Sequence, residues 1–161
     1  MIILLMGVAG SGKTTVGRRL ATGLGWSFAD ADDFHPPANI AKMSAGIPLT
    51  DGDRAPWLAA IRDHVEACLA RGENAVVTCS ALKESYRRII VVDPARVKLV
   101  HLRGDFDLLL RRLDRRRDHF MKKDLLQSQF AALEPPREAL VLDVARPPEK
   151  LVADIRAAFG L

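Results

Sequence analysis

The sequence predicts a three-layer α/β/α sandwich built on a five-stranded parallel sheet, and three observations predict it. Five short, continuous apolar runs at residues 1–6, 26–29, 75–79, 97–102 and 139–144 have the length of strands buried on both faces. Between them lie stretches whose apolar residues recur at helical spacing. Strands alternating with helices along a chain pair in parallel, with helices covering both faces of the sheet. No internal repeat, low-complexity tract or long linker divides the 161 residues, so a single domain over residues 1–161 is expected.

Composition narrows the classes. Apolar residues are 48% of the chain and charged residues 27%, the balance of a globular protein that buries one core. The longest apolar stretch, Met1-Ile2-Ile3-Leu4-Leu5-Met6, is too short to span a membrane and lacks the basic start and cleavage site of a signal peptide. It reads as a buried strand of a cytoplasmic protein. The two cysteines, Cys68 and Cys79, fit no metal spacing and no disulfide framework, and are expected as reduced core thiols.

The net charge of +4 lies in one place. Residues 103–123 hold eight basic side chains against four acidic ones, while the rest of the chain balances at sixteen of each. An anionic partner for that segment is implied, either nucleic acid or the phosphates of a nucleotide. Nucleic acid is the weaker choice, because only Phe106 and Phe120 stand near the charges to stack on bases.

Along the chain, the first strand runs directly into Gly7-Val8-Ala9-Gly10-Ser11-Gly12-Lys13-Thr14, a full match to G-x-x-x-x-G-K-[ST]. Glycines let the backbone wrap a phosphate with several N–H groups pointing inward, backed by the N-terminus of the next helix. That helix begins around Thr15, which joins the phosphate-binding set, and continues through Val16, Leu20 and Leu24. Lys13 would bridge the outer phosphates and the Thr14 hydroxyl would ligate Mg²⁺. The phosphates of a nucleotide, with Mg²⁺, are therefore expected at this loop, and the resemblance given below implies that the nucleotide is ATP.

The second strand ends in three carboxylates, Asp30, Asp32 and Asp33. Strand alternation sends Asp30 and Asp32 to one side, near the end of the phosphate loop. Asp30 is the best anchor for the water shell of the metal. Leu58, Ile61, Val65 and Leu69 then mark a helix before the third strand, 75–79. The fourth strand, 97–102, leads into a helix marked by Phe106, Leu109, Leu110 and Leu113. The fifth strand, 139–144, precedes a last helix on Leu151, Val152, Ile155 and Phe159.

Further blocks cover nearly the whole chain. Asp30-Ala31-Asp32-Asp33-Phe34-His35-Pro36 is followed by Asn39-Ile40-Ala41-Lys42-Met43, then by Gly46-Ile47-Pro48-Leu49-Thr50-Asp51-Gly52-Asp53-Arg54 and Pro56-Trp57-Leu58. Cys79-Ser80-Ala81-Leu82-Lys83 stands before Tyr86-Arg87. Arg112-Leu113, Arg116, His119-Phe120-Met121, Ser128-Gln129-Phe130 and Leu133-Glu134 complete the series. In this order they resemble the gluconate kinase (gluconokinase) family, phosphate-loop kinases similar to shikimate kinase. The chain departs from the family at Asp118, where glycine is expected, at Lys122, where proline is common, and at Gly52, which interrupts a run of aspartates.

The resemblance implies phosphoryl transfer from ATP to the 6-hydroxyl of D-gluconate. It also implies a homodimer, with neither nucleic acid nor membrane as partner. Asp32 would hold the acceptor hydroxyl and Arg54 the acid's carboxylate, since a guanidinium matches a carboxylate with two parallel hydrogen bonds. His35, Lys83 and Arg87 are secondary candidates for the substrate, and Trp57 and Phe34 are expected in the core. The resemblance also implies a helical lid, about residues 103–135, in which Arg112 and Arg116, one helical turn apart, close over ATP. His119 and Phe120 would belong to it, and Arg116 would stabilise the transferring group. Three rival readings stand beside this one: a kinase for another small acid, such as shikimate or a different aldonate; a non-catalytic nucleotide-responsive module; and a nucleic-acid binder.

Overall fold

Five strands form one parallel sheet in the order β2–β3–β1–β4–β5: β1 (Ile2–Met6), β2 (Ser27–Asp30), β3 (Ala75–Thr78), β4 (Val97–Arg103) and β5 (Leu140–Asp143). The computed structural model describes residues 1–115 and 122–161. β1 lies at the centre, with Ile2 beside Ala75 on one flank and Val97 on the other. All five of its residues are fully buried, as a central strand with both faces covered requires. Burying such side chains contributes about 2 kcal/mol each.

The alternation of β1 divides the core in two. Ile2, Leu4 and Met6 point to one face with Ala75 and Val77, where α3 (Asp51–Ala70) and α4 (Glu84–Ile90) cover them. The stripe Leu58, Ile61, Val65 and Leu69 lies against this face, together with Trp57, Tyr86 and both cysteines. Ile3 and Leu5 point to the other face with Val76, Val100 and Leu102. There α1 (Lys13–Leu24), α5 (Phe106–Asp114), α6 (Lys122–Ala132) and α7 (Pro148–Phe159) supply Val16, Leu20, Leu109, Leu126, Leu151 and Ile155. The three-layer sandwich expected from the sequence is the fold observed. Among the described residues a further short helix, α2 (Pro37–Ser44), and a 3₁₀ turn, Ala31–Phe34, link β2 to α3.

Two local devices fix where α1 and α3 sit. Gly17 in α1 lets the helix lie close to the sheet, since a Cβ there would come within 2.8 Å of Thr78 and 2.9 Å of Phe28. Thr50 and Asp53 form a reciprocal capping box that sets the start of α3: Thr50 Oγ1 accepts from the Asp53 N–H at 3.1 Å and Asp53 Oδ2 from the Thr50 N–H at 2.9 Å.

Cys68 and Cys79 are buried thiols and are not bonded to each other. Burial pushes the Cys79 thiol up to about 12 and raises Cys68 in the same direction. No described helix is long and apolar enough to cross a membrane.

Candidate active site

The phosphate loop leaves the carboxyl end of β1, the side of a parallel sheet where ligands bind. Gly7 allows it to turn: a Cβ there would sit 2.7 Å from the Leu102 carbonyl oxygen and 2.8 Å from Ser11 Oγ. Gly10 and Gly12 have φ of 79° and 85°, the left-handed region that glycine tolerates. Gly12 is the N-cap of α1, so the amides of Lys13, Thr14 and Thr15 form the open, positive end of that helix. Val8 and Ser11 are buried beneath the loop, and Thr14 and Thr15 are exposed. Lys13 Nζ donates to the carbonyls of Gly7 (2.9 Å) and Val8 (3.1 Å), which holds the ammonium over the cradle. The Ala9 N–H, on the rim, donates to Gln129 Oε1 of α6 at 2.6 Å.

Arg112, on α5, donates to the main-chain carbonyl of Val144 just beyond β5. Arg116 and His119, with Phe120, lie outside the described residues.

The acidic corner differs from its expected geometry in one respect. Strand β2 ends at Asp30, and the chain turns at once into the 3₁₀ turn, so strand alternation does not place Asp32. The cause is Asp30 itself, whose Oδ1 accepts from the Asp32 N–H at 3.1 Å and caps the turn. The two acids are still brought together by this tight turn. Asp30 Oδ2 also accepts from Thr14 Oγ1 at 3.0 Å, which joins the two predicted metal positions. The Asp32 carboxyl is pushed above the ordinary carboxyl range, first by the protein crowded around it and then by the neighbouring Asp30 charge; Lys13 pulls the other way.

Among the described residues no group of three or more His, Cys, Asp or Glu could hold a metal by itself. A hydroxyl beside one carboxylate, next to a phosphate cradle, is instead the donor set that suits Mg²⁺, which keeps waters and shares phosphate oxygens.

A line of polar side chains continues from Asp32. The His35 imidazole stacks on the Trp57 indole at 4.4 Å with 9° between the rings. Burial holds its pKa low, against the pull of Asp32, and Arg54 lowers it further, so His35 lies within the fields of both. Asn39 Nδ2 donates to the Asp53 carbonyl (2.9 Å) and pairs with His35 Nδ1 (3.2 Å). That pairing makes Nδ1 the acceptor and leaves the ring neutral with its proton on Nε2.

Arg54 and Lys83 then converge on the exposed carboxylate of Asp51, at 3.8 and 3.6 Å, and the Tyr86 hydroxyl donates to the same carboxylate at 2.7 Å. Both cations also lie over the Tyr86 ring. Arg54 donates to the Leu49 carbonyl, which anchors the first turn of α3 and leaves part of the guanidinium exposed.

Arg87 departs from expectation. Its side chain is 4% exposed and its donors are spent on the carbonyls of Ala81 (2.9 Å), Leu82 (3.0 Å) and Glu134 (2.8 Å) and on Glu84. It ties down the loop after β3, where Ala81 is buried with φ of 45°, and does not face a ligand. Trp57 and Phe34 are core residues, as expected; the Trp57 indole donates to the Ala31 carbonyl at 2.7 Å.

Sequence reasoning gave no role to Asp51, Tyr86 or Gln129. For Gln129 a signal existed: it is the polar residue on the apolar face formed by Leu126, Phe130 and Leu133.

The shikimate kinase family profile matches residues 9–147. A gluconokinase of Gluconobacter oxydans is 52% identical over 134 residues, covering 83% of this chain and 75% of that protein. The crystal structure of a gluconokinase from Sinorhizobium meliloti superposes with a TM-score of 0.85 at 46% identity, over 96% of this chain and 89% of that one. Shikimate kinase from Aquifex aeolicus, at 20% identity and a TM-score of 0.64 over 99% and 96% of the two chains, shares the fold. With the phosphate loop, the Thr14–Asp30 corner and the Asp32–Arg54 line in place, the chain belongs to the gluconokinase family of shikimate-kinase-like phosphate-loop kinases.

Proposed function

We propose that the protein transfers the γ-phosphoryl group of ATP to the 6-hydroxyl of D-gluconate, releasing ADP and 6-phospho-D-gluconate. The observation that carries this reading is the continuous line from the phosphate loop through Asp32 and His35 to the Arg54–Lys83 pair. Gluconate is an open chain with its reacting hydroxyl at one end and its carboxylate at the other. A site for it needs a hydroxyl-holding group beside the donor phosphate and a cationic fork further off. The relatives named gluconokinases at 46–52% identity support the same acceptor.

Phosphoryl transfer is chiefly positioning and charge neutralisation. The loop amides and the N-terminus of α1 hold the phosphates, and Lys13 neutralises the charge that spreads over the departing group. Asp32 accepts the hydrogen bond of the 6-hydroxyl, aims its oxygen and is placed to take its proton; its raised pKa makes it a stronger base than an ordinary aspartate. His35, whose Nδ1 is engaged by Asn39, offers its Nε2–H as a donor to the polyol between the two ends. Arg54, with Lys83, binds the carboxylate, and the Asp51 carboxylate that both cations approach shows the fork's affinity for such a group.

Thr14 and Asp30 would hold Mg²⁺, which when bound neutralises the outer phosphates. Arg112, with Arg116 and His119 beyond the described residues, covers the nucleotide as part of the lid. The protein acts in the cytoplasm as a homodimer. A coupled ADP-release assay across gluconate, other aldonates, shikimate and glucose tests the acceptor. Gluconate is expected as the best substrate, and a better acid in that panel overturns the assignment.

A further inference from the structure

Helix α6 and the two residues after it reach both halves of the site. Its buried side seats Leu126, which is fully buried, and Phe130, whose ring packs edge-on against Phe106 of α5 at 5.7 Å. That seating turns Gln129, one position earlier, toward the phosphate loop, where Oε1 takes the Ala9 N–H at 2.6 Å. Five residues on, Glu134 is fastened to the acceptor-side loop three times. Its N–H donates to the Leu82 carbonyl (2.9 Å), its Oε2 accepts from the Glu84 N–H (2.8 Å), and its carbonyl accepts from Arg87 (2.8 Å). The same Arg87 holds the left-handed turn at Ala81, two residues before Lys83. Between these anchors lie only the last turn of α6 and the two residues that follow it.

We infer that Gln129 is a positioning residue. Through α6 and the Glu134–Arg87 anchorage it sets the distance between the donor loop and the acceptor loop, and so the alignment of phosphoryl group and hydroxyl. The inference rests on the kinase reading and adds a residue to it. Gln129 touches neither reactant in this role. It fixes the rim of the loop from outside and leaves the amides at the start of α1 to the phosphates. An amide oxygen suits the task because it accepts the Ala9 N–H without placing a negative charge beside them.

The consequence is specific. In-line transfer tolerates misplacement of about 1 Å only at a cost of about a hundredfold, whereas hydrolysis by mobile water depends much less on where the acceptor loop lies. Releasing α6 from the phosphate loop therefore lowers transfer more than hydrolysis. In Gln129→Ala, and in the equally bulky Gln129→Met, the ratio of gluconate-dependent to gluconate-independent ADP release falls roughly tenfold to a hundredfold. Gln129→Glu, which keeps the acceptor oxygen, restores the ratio and raises KM for ATP through its charge. Exchange of the Ala9 amide hydrogen quickens in the Ala and Met variants and not in the Glu variant.

A ratio within twofold of wild type in a folded Gln129→Met protein overturns the inference. So does a parallel loss of both activities with a lowered Tm, which a purely structural residue would give. If the wild type ignores gluconate, the acceptor assignment falls instead, and the same ratio is read with the acid that the panel selects.

Discussion

The two faces of the sheet divide the work of the site differently. On the face covered by α1, α5, α6 and α7, the donor machinery is local: eight consecutive residues and the helix they open make the phosphate cradle, and their geometry is set by glycine φ angles and one helix end. On the face covered by α3 and α4, the proposed acceptor machinery is assembled from separate segments, with Asp32 on a 3₁₀ turn, Arg54 in the first turn of α3, and Lys83 and Tyr86 at the start of α4. A cradle built from contiguous backbone tolerates little change in sequence. A fork built from side chains can be re-aimed by one substitution. The difference teaches where specificity for the acid is adjustable.

The contrast can be broken most sharply at Lys13. Its loss should affect every acceptor alike, since the donor face serves all of them. Lys13→Ala is expected to lower kcat roughly a thousandfold or more, as removal of a cation from a transferring phosphoryl group does, with Tm little changed. Steady-state kinetics with two different acids check it, and an effect confined to one acid would erase the division.

Asp32→Asn stands at the junction of the two faces. It is expected to lower kcat on the order of a hundredfold or more. It should also remove the acid limb of the pH–rate profile. In the wild type that limb lies above the ordinary carboxyl range, because crowding and Asp30 raise the Asp32 pKa, so activity is present above that value and lost as pH falls through it. A profile unchanged by the substitution would assign the proton to another group.

Arg54→Ala sharpens the acceptor side alone. Removing one partner of a carboxylate pair costs about 2–3 kcal/mol at a partly exposed site, or roughly thirtyfold to a hundred-and-fiftyfold in kcat/KM for gluconate. KM for ATP should stay near wild type, and glucose, lacking the carboxylate, should be no worse a substrate. An equal loss for glucose would move the carboxylate to Lys83.

The smallest effect is expected at the Lys42–Asp53 pair behind the fork, 2.8 Å apart. Lys42 and the Thr50 amide hold Asp53 down at about 2. A depressed carboxyl stabilises the fold above its unfolded pKa and loses that contribution as pH falls toward about 2. Lys42→Ala should therefore lower the thermal midpoint slightly at neutral pH, and flatten its fall with acid. Thermal melts from pH 2 to 7 measure both.

The two faces also differ in how much the sequence revealed. All five strands and the stripes on α1, α3, α5 and α7 were legible because burial on both faces writes continuous runs and helical periods. The Thr14–Asp30 contact was legible because Asp30 ends β2 and Thr14 opens α1 at the same edge of a parallel sheet. Asp32 was placed on the right side for the wrong reason, since the Asp30 cap that folds the turn competes with strand extension. Arg87 was misread because an arginine near a site looks alike whether it meets a substrate or three carbonyls. Only the left-handed turn at Ala81 and the nearby end of α6 decide between them. Gln129 acts across 120 residues of separation, which no local period encodes.

The two thiols give the molecule an internal clock. Both cysteines lie in the core under α3 and α4, and the opposite core holds none. With burial raising both thiols, Cys79 to about 12, almost no thiolate exists at neutral pH in the folded protein. Alkylation must wait for that core to open, so the labelling rate counts openings of the acceptor side while the donor side breathes unseen. A sugar acid that binds the Arg54–Lys83 fork should slow the clock.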